Sequence, residues 1–133
     1  ATSIEVYMFH IALGTADHPS SQLLDRLVAA AARGVAVRVL LDRDRPTDPY
    51  NSTVVNTRAK NFLAANGVPV KFDSEERLLH SKFVVVDGQT VVVGSHNWSI
   101  GSFFEFDDVS LAIASATLAQ EFTGRFDLLW QGS

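Results

Sequence analysis

Residues 80–97 read HSKFVVVDGQTVVVGSHN. Two apolar runs, 83–86 and 90–93, flank Asp87 and Gly88, a dipeptide that favours tight reversal, so the stretch is expected to form an antiparallel hairpin. Side chains alternate along a strand, which puts His80 and Lys82 on one face and Ser81 and Phe83 on the other. An imidazole and an ammonium can then meet one phosphate. The returning strand ends at Gly94, where a missing side chain lets the backbone approach a ligand, and Ser95 and Asn97 follow as neutral donors.

Outward from the hairpin, strand and helix patterns alternate with short turns. Residues 4–10 are β-branched and aromatic, as in a strand, and residues 14–19 are rich in structure breakers. Ser20 or Ser21 can cap a helix in which Leu23, Leu24, Leu27, Val28 and Ala31 share a face, with Gly34 stopping it. The apolar run 35–41 reads as a buried strand, and residues 43–51, with Pro46 and Pro49 among charges, as a loop. Residues 52–65 suit a helix ended by Asn66 and Gly67, and 68–72 a short strand near an edge because of Pro69. A loop carrying Trp98, Phe103, Phe104 and Phe106 leads to a strand at 109–114. Thr117 and Gln120 match a capping box ahead of a last helix, striped by Leu118, Phe122, Phe126 and Leu129. This order indicates the α/β class: a mixed β-sheet flanked by helices, its parallel part linked by right-handed crossovers.

Composition narrows the function classes. A chain of 133 residues suits one domain with a single core. Apolar residues make up 47%, yet no run is long enough for a spanning helix or secretory leader, so stable membrane insertion is not expected and the chain reads as soluble. With no cysteine, disulfides and thiolate metal sites are excluded, while the compartment stays open. A net charge of −4 argues against broad electrostatic capture of nucleic acid, although a local positive pocket is compatible with it.

Within the hairpin segment, each residue type has a separate chemical use. A neutral imidazole can attack phosphorus. Lysine and amide donors can stabilise the charge that builds on the equatorial oxygens of a five-coordinate transition state, and a second histidine can protonate the leaving oxygen.

The spacing HxK, four residues, Asp, six residues, GSxN resembles the HKD signature of the phospholipase D superfamily, both its single-motif endonucleases and its cardiolipin synthase-like branch. The resemblance covers nearly the whole chain and implies a phospholipase D-like α/β sandwich over one domain, 1–133, lacking the strand and helix that usually come first. It also implies a metal-independent, cofactor-free reaction in two steps through a phosphohistidine on His80, completed by water or an alcohol. Lys82 and Asn97 would hold the phosphate oxygens and Ser95 would assist. Continuing the alignment without gaps places Ser102 on a motif serine and Asp108 on a motif glutamate, so that Asp108 would accept from the far ring nitrogen of His80. Asp107 could take that place if the loop shifts by one residue. Asp87, Gly94 and Ser102 would serve structurally. Gly101 and Phe106 depart from the pattern, standing where lipid-synthase members carry arginine and asparagine. Since the reaction needs two facing HxK motifs and this chain has one, the resemblance implies a homodimer or a second HKD domain in a longer protein.

Other polar residues carry weaker signals. His10 and His18 read as a strand-end and a loop residue, and Trp98 with the phenylalanines that follow as core or dimer contacts rather than lipid anchors. Arg43 and Arg45 follow a buried strand, where ligands of open sheets bind, or simply belong to a solvated loop. Glu105, Asp107 and Asp108 lack a supporting histidine for a metal cluster. The phosphodiester substrate is a nucleic acid or a phospholipid, with a homodimeric nuclease or general phosphodiesterase preferred. A phospholipase D or phosphatidyl transferase, and a non-catalytic phosphate-binding module, stand beside it.

Overall fold

A computed structural model describes residues 1–133. Strand β1 (Ser3–Met8) pairs in parallel with β2 (Ala36–Leu41), and β2 with β3 (Val70–Phe72). On the other side of β1, β4 (Lys82–Val86), β5 (Thr90–Gly94) and β6 (Ser110–Ala114) add antiparallel. The result is a six-stranded mixed sheet in the order β3-β2-β1-β4-β5-β6, with β3 at an edge as Pro69 suggests.

Helices α1 (Pro19–Ala32) and α2 (Ser52–Ala65) join the parallel strands and cover one face. Their Leu24, Leu27, Ala30, Ala59 and Leu63 pack on Val6, Met8, Val37, Val39 and Leu41, the alternate residues of β1 and β2 that face them. Helix α3 (Ala116–Gln131) covers the opposite face, where Ala119 and Phe126 meet Tyr7, Leu40, Phe83, Val85 and Val91. The sheet is therefore buried on both faces along β1 and β2. Arg38 ties the second face to α3 by bridging Glu5 and Asp127 at 3.2 and 2.8 Å and lying over the ring of Phe126.

Two helix caps differ from the sequence pattern, and α2, which starts where expected, takes its acceptor from a loop. His18, rather than a serine, caps α1, its ring Nδ1 accepting from Ser20 N–H at 3.0 Å with Pro19 in the first turn. Ser115 caps α3, accepting from Leu118 N–H, so the Thr117 and Gln120 pair falls inside the helix and forms no box. Asp44 reaches in from the preceding loop to receive the N–H groups of Ser52 and Thr53 at the start of α2. The first two are local caps placed before the residues the motifs favour, and only Asp44 comes from a loop whose path local spacing does not reveal.

The hairpin forms as expected. Asp87 and Gly88 take positive φ of 57° and 60°, and Gln89 N–H donates to Val86 O at 3.0 Å, a reversal whose twist matches the strands. Met8 lies opposite both Leu41 and Lys82, and Phe83 opposite Val93. The carboxyl ends of β1, β2 and β5 and the start of β4 therefore share one end of the sheet, where ligands of open α/β sheets bind.

Candidate active site

His80, Lys82, Gly94, Ser95, Asn97, Ser102, Phe106 and Asp108 line one open cavity of about 440 Å³ at that end. His80 stands just before β4 rather than on it, so strand alternation does not set its direction. Its exposed ring lies against the buried ring of Phe9, centroids 4.9 Å apart, and makes no hydrogen bond. Partial burial and the Lys82 charge hold the imidazole below its ordinary value, which favours the neutral, nucleophilic form.

Lys82 begins β4 and is 8% exposed. Its ammonium curls over the Phe9 ring, 5.1 Å from the centroid, and donates to the carbonyl of His80. Burial pushes its pKa down, while Asp108 and Asp42 oppose that shift. The Lys82 side chain is thus tied to the His80 backbone.

Asn97 is oriented from below. Its Oδ1 accepts from His10 N–H at 3.2 Å, and its own N–H donates to the hydroxyl of buried Ser102 at 3.1 Å, leaving the side-chain amide donors for the cavity. Ser102 belongs to a π-helical turn, Gly101–Glu105, closed by Phe106 N–H to Gly101 O at 2.8 Å. The Ser95 hydroxyl donates to Asp108 Oδ1 at 2.7 Å and accepts from Val109 N–H at 3.0 Å. Hydrogen bonds from Ser95 and Ser102 hold the Asp108 carboxyl below the usual range. Asp108 shares the cavity with His80 but makes no hydrogen bond to its ring; Ser95 is its partner instead. Asp107 does not line the cavity.

Gly94 lines the cavity and also has a packing reason its sequence does not suggest. A Cβ there would lie 2.2 Å from the Val109 carbonyl and 2.5 Å from the Ser110 Cα, so the glycine lets β6 close onto β5. Asp87 stands far from the cavity lining, its carboxylate taking N–H groups from Thr2 and Ser3 and pinning the hairpin turn to the start of β1. The departures at Gly101 and Phe106 meet in one contact. A Cβ on Gly101 would lie 2.6 Å from the Phe106 ring, so the ring occupies the space a side chain at 101 would need.

The weaker candidates resolve individually. Trp98 is core, packed with Met8 and Ile11, whereas Phe104 and Phe106 are 70% and 64% exposed, and Phe106 lines the cavity. Arg43 and Arg45 pair with Glu75 and Asp48, away from the cavity lining. Glu105, Asp107 and Asp108 gather into no group of three metal-ligating side chains.

Sequence reading missed the supports beneath the site. Asn56, fully buried, receives Ile11 N–H and donates to the carbonyls of Phe9 and Asp42, joining the ends of β1 and β2. Half-buried His10 meets Ser52 Oγ at 3.2 Å and stacks on Phe9. Nothing in the local pattern of α2 marks Asn56 as buried; only tertiary contact does.

The family described as cardiolipin synthase, phospholipase D-like domain matches residues 1–130. A mitochondrial cardiolipin hydrolase of Xenopus laevis is 30% identical over 112 residues, covering 84% of this chain and 50% of its own length. Cardiolipin synthase A of Serratia proteamaculans is 36% identical over 98 residues, 71% of this chain and 19% of its own length. This chain therefore spans half or less of those curated relatives. Nuc, a phospholipase D family member from Salmonella typhimurium, shares the fold with a TM-score of 0.80 and 26% identity, over 98% of this chain and 79% of that one. With the HxK and GSxN residues around one cavity, and a family match running from the first strand into the last helix, the chain belongs to the phospholipase D superfamily of enzymes.

Proposed function

We propose that the chain is a metal-independent phosphodiesterase working through a phosphohistidine on His80, most simply a nuclease or general phosphodiesterase acting as a homodimer. The observation that carries this reading is the convergence of His80, Lys82, Ser95 and Asn97 on one open cavity, with the imidazole biased toward its neutral form. A ring nitrogen of His80 attacks phosphorus, the P–O bond to the leaving group breaks, and the partner copy's histidine supplies the proton. Lys82 and the Asn97 amide hold the equatorial oxygens as charge accumulates on them. Water activated by that second histidine then cleaves the P–N bond and restores His80. Asp108 orients Ser95 in the free site, and a side-chain shift on substrate binding would bring it to the far nitrogen of His80.

A purified dimer is expected to hydrolyse bis(p-nitrophenyl) phosphate in excess chelator, and His80→Asn to abolish turnover with the fold intact. Chelator-sensitive cleavage, or an active His80→Asn protein, would refute the mechanism. A second reading, phospholipid as substrate, is favoured by the exposed ring of Phe106 on the cavity lining, with exposed Phe104 on the same turn. Release from single-stranded DNA, double-stranded DNA and phosphatidylcholine vesicles at equal enzyme concentration separates the two.

A further inference from the structure

Asp42 ends the run of β2 as a carboxylate that is 1% exposed, with no cation bonded to it. Its backbone is fixed on both sides: its N–H donates to Met8 O at 3.3 Å and its carbonyl receives the Asn56 side chain at 3.0 Å. Its side chain does something more specific. Oδ1 accepts from Leu79 N–H at 2.9 Å, across the gap between β2 and the segment entering β4, and Oδ2 has no hydrogen-bond partner. Leu79 is itself 1% exposed and directly precedes His80. The carbonyl of His80 is where the Lys82 ammonium rests. One buried carboxylate therefore reaches both HxK residues through a single backbone step.

A buried carboxylate is a costly way to accept one N–H, since a neutral acceptor would satisfy it as well. Its retention in the core behind a lysine argues for use of the charge. The groups facing Lys82 are His10 from the end of β1, His80 from the approach to β4, Asp108 from the loop before β6, and Asp42 from the end of β2. The carboxylates favour its ammonium, whereas burial and Lys82 itself hold the two imidazoles below their ordinary value, so they carry no charge where a lysine titrates. Asp108 stands toward solvent, where salt screens it, whereas Asp42 is enclosed.

We propose that Asp42 is a positioning residue of the phosphate site, fixing the His80 backbone through Leu79 N–H and supplying the buried negative charge that keeps Lys82 an ammonium. The proposal rests on the phosphodiesterase reading for its kinetic consequence but not for its structural one. Asp42→Asn keeps an oxygen for Leu79 N–H and loses the charge, while Asp42→Ala loses both; Asp42→Ser is the fallback neutral acceptor if the asparagine variant does not fold.

Two readouts are made on folded protein. In the first, side-chain NMR follows Lys82 beside Lys60 and Lys71, the chain's other lysines, in 0.5 M salt to suppress Asp108. Asp42→Asn, or Asp42→Ser, is expected to lower the Lys82 titration midpoint by about one pH unit, leaving the other two in place. In the second, kcat for bis(p-nitrophenyl) phosphate is expected to fall about a hundredfold in Asp42→Ala with KM changed less than threefold, and to recover about tenfold in the asparagine variant. An unchanged Lys82 midpoint in a folded neutral variant overturns the charge role, and equal kcat in the alanine and asparagine variants overturns the positioning role. If wild type cleaves no phosphodiester, the functional reading fails, and the Lys82 titration still decides for or against Asp42.

Discussion

His80 and Lys82 are coupled in two ways that make opposite demands on protonation. The ammonium lies close enough to depress the imidazole, and burial does the same to both. For attack on phosphorus the imidazole must be neutral, so the acid limb of kcat/KM is expected below the ordinary histidine value of 6.5. In Lys82→Gln, the NMR titration of His80 should move up toward 6.5, because the repelling charge is gone; a midpoint that stays low would assign the whole effect to burial. The same shift bears on stability. A histidine whose folded pKa is depressed contributes stability that is present above its unfolded pKa and lost as pH falls through the folded one. His80 and His10 are both depressed, so their contribution to stability should decline as pH drops below about 6.5, against the opposite contribution of Glu5, Asp42 and Asp73, whose carboxyls burial raises. Urea midpoints measured from pH 7.5 to 5 check this, and the decline should lessen in His10→Gln. The HxK and GSxN side chains were legible because their type and interval are chemical requirements. What they touch was not: the Ser95 bond to Asp108, the carbonyl under Lys82 and the acceptor on Leu79 depend on loops whose paths no periodicity records.

At the scale of elements, the glycines separate packing from conformation. Gly124 sits inside α3 with nothing within 4 Å of a Cβ, so Gly124→Ala should stabilise the protein by about 1 kcal/mol through helix propensity alone. Gly94→Ala is the same substitution with the opposite sign. Its Cβ would strike the backbone of Val109 and Ser110, which cannot rotate away as a side chain can, so β6 must shift and carry Ser95 and Asp108 with it. Urea denaturation of the two variants should show a gain for the first and a loss of stability, with lost turnover, for the second. Gly101→Ala falls between them: its clash is with the exposed Phe106 ring, which can swing, so a change in KM is expected with little loss of stability. The strands were readable because their apolar runs are bounded by breakers, and the positive φ of Gly34, Gly67 and Gly88 fits the stops and the turn expected there. Caps were misread because His18 and Ser115 satisfy helix donors two to three residues before the residues that local motifs favour.

On the proposed mechanism, the molecule presents half of a reaction. The cavity holds one imidazole free to act as nucleophile; His10 is turned to Ser52 and stacked on Phe9, His96 is bonded to Ser110, and neither lines the cavity. Protonation of the leaving oxygen therefore calls for a second copy, or a second motif in a longer protein. Exposed apolar residues surround the same end and edge: Ile100, Phe104 and Phe106 on the turn, and Val109 and Leu111 leading into edge strand β6. An uncovered edge beside uncovered aromatics is a surface that pairing would stabilise. The assembly has a kinetic signature that needs no structure of the complex. If each turnover requires His80 from both copies, a His80→Asn subunit inactivates the wild-type subunit it joins. Refolding wild-type chains with a ninefold excess of His80→Asn chains leaves about one wild-type subunit in ten in a wild-type pair, so activity per wild-type chain should fall about tenfold. A self-sufficient monomer would show no fall. Adding the same excess of a variant with both His80→Asn and Leu111→Asp, which places a charge on the edge, should restore activity if pairing uses β6, and light-scattering mass should report that variant as a monomer.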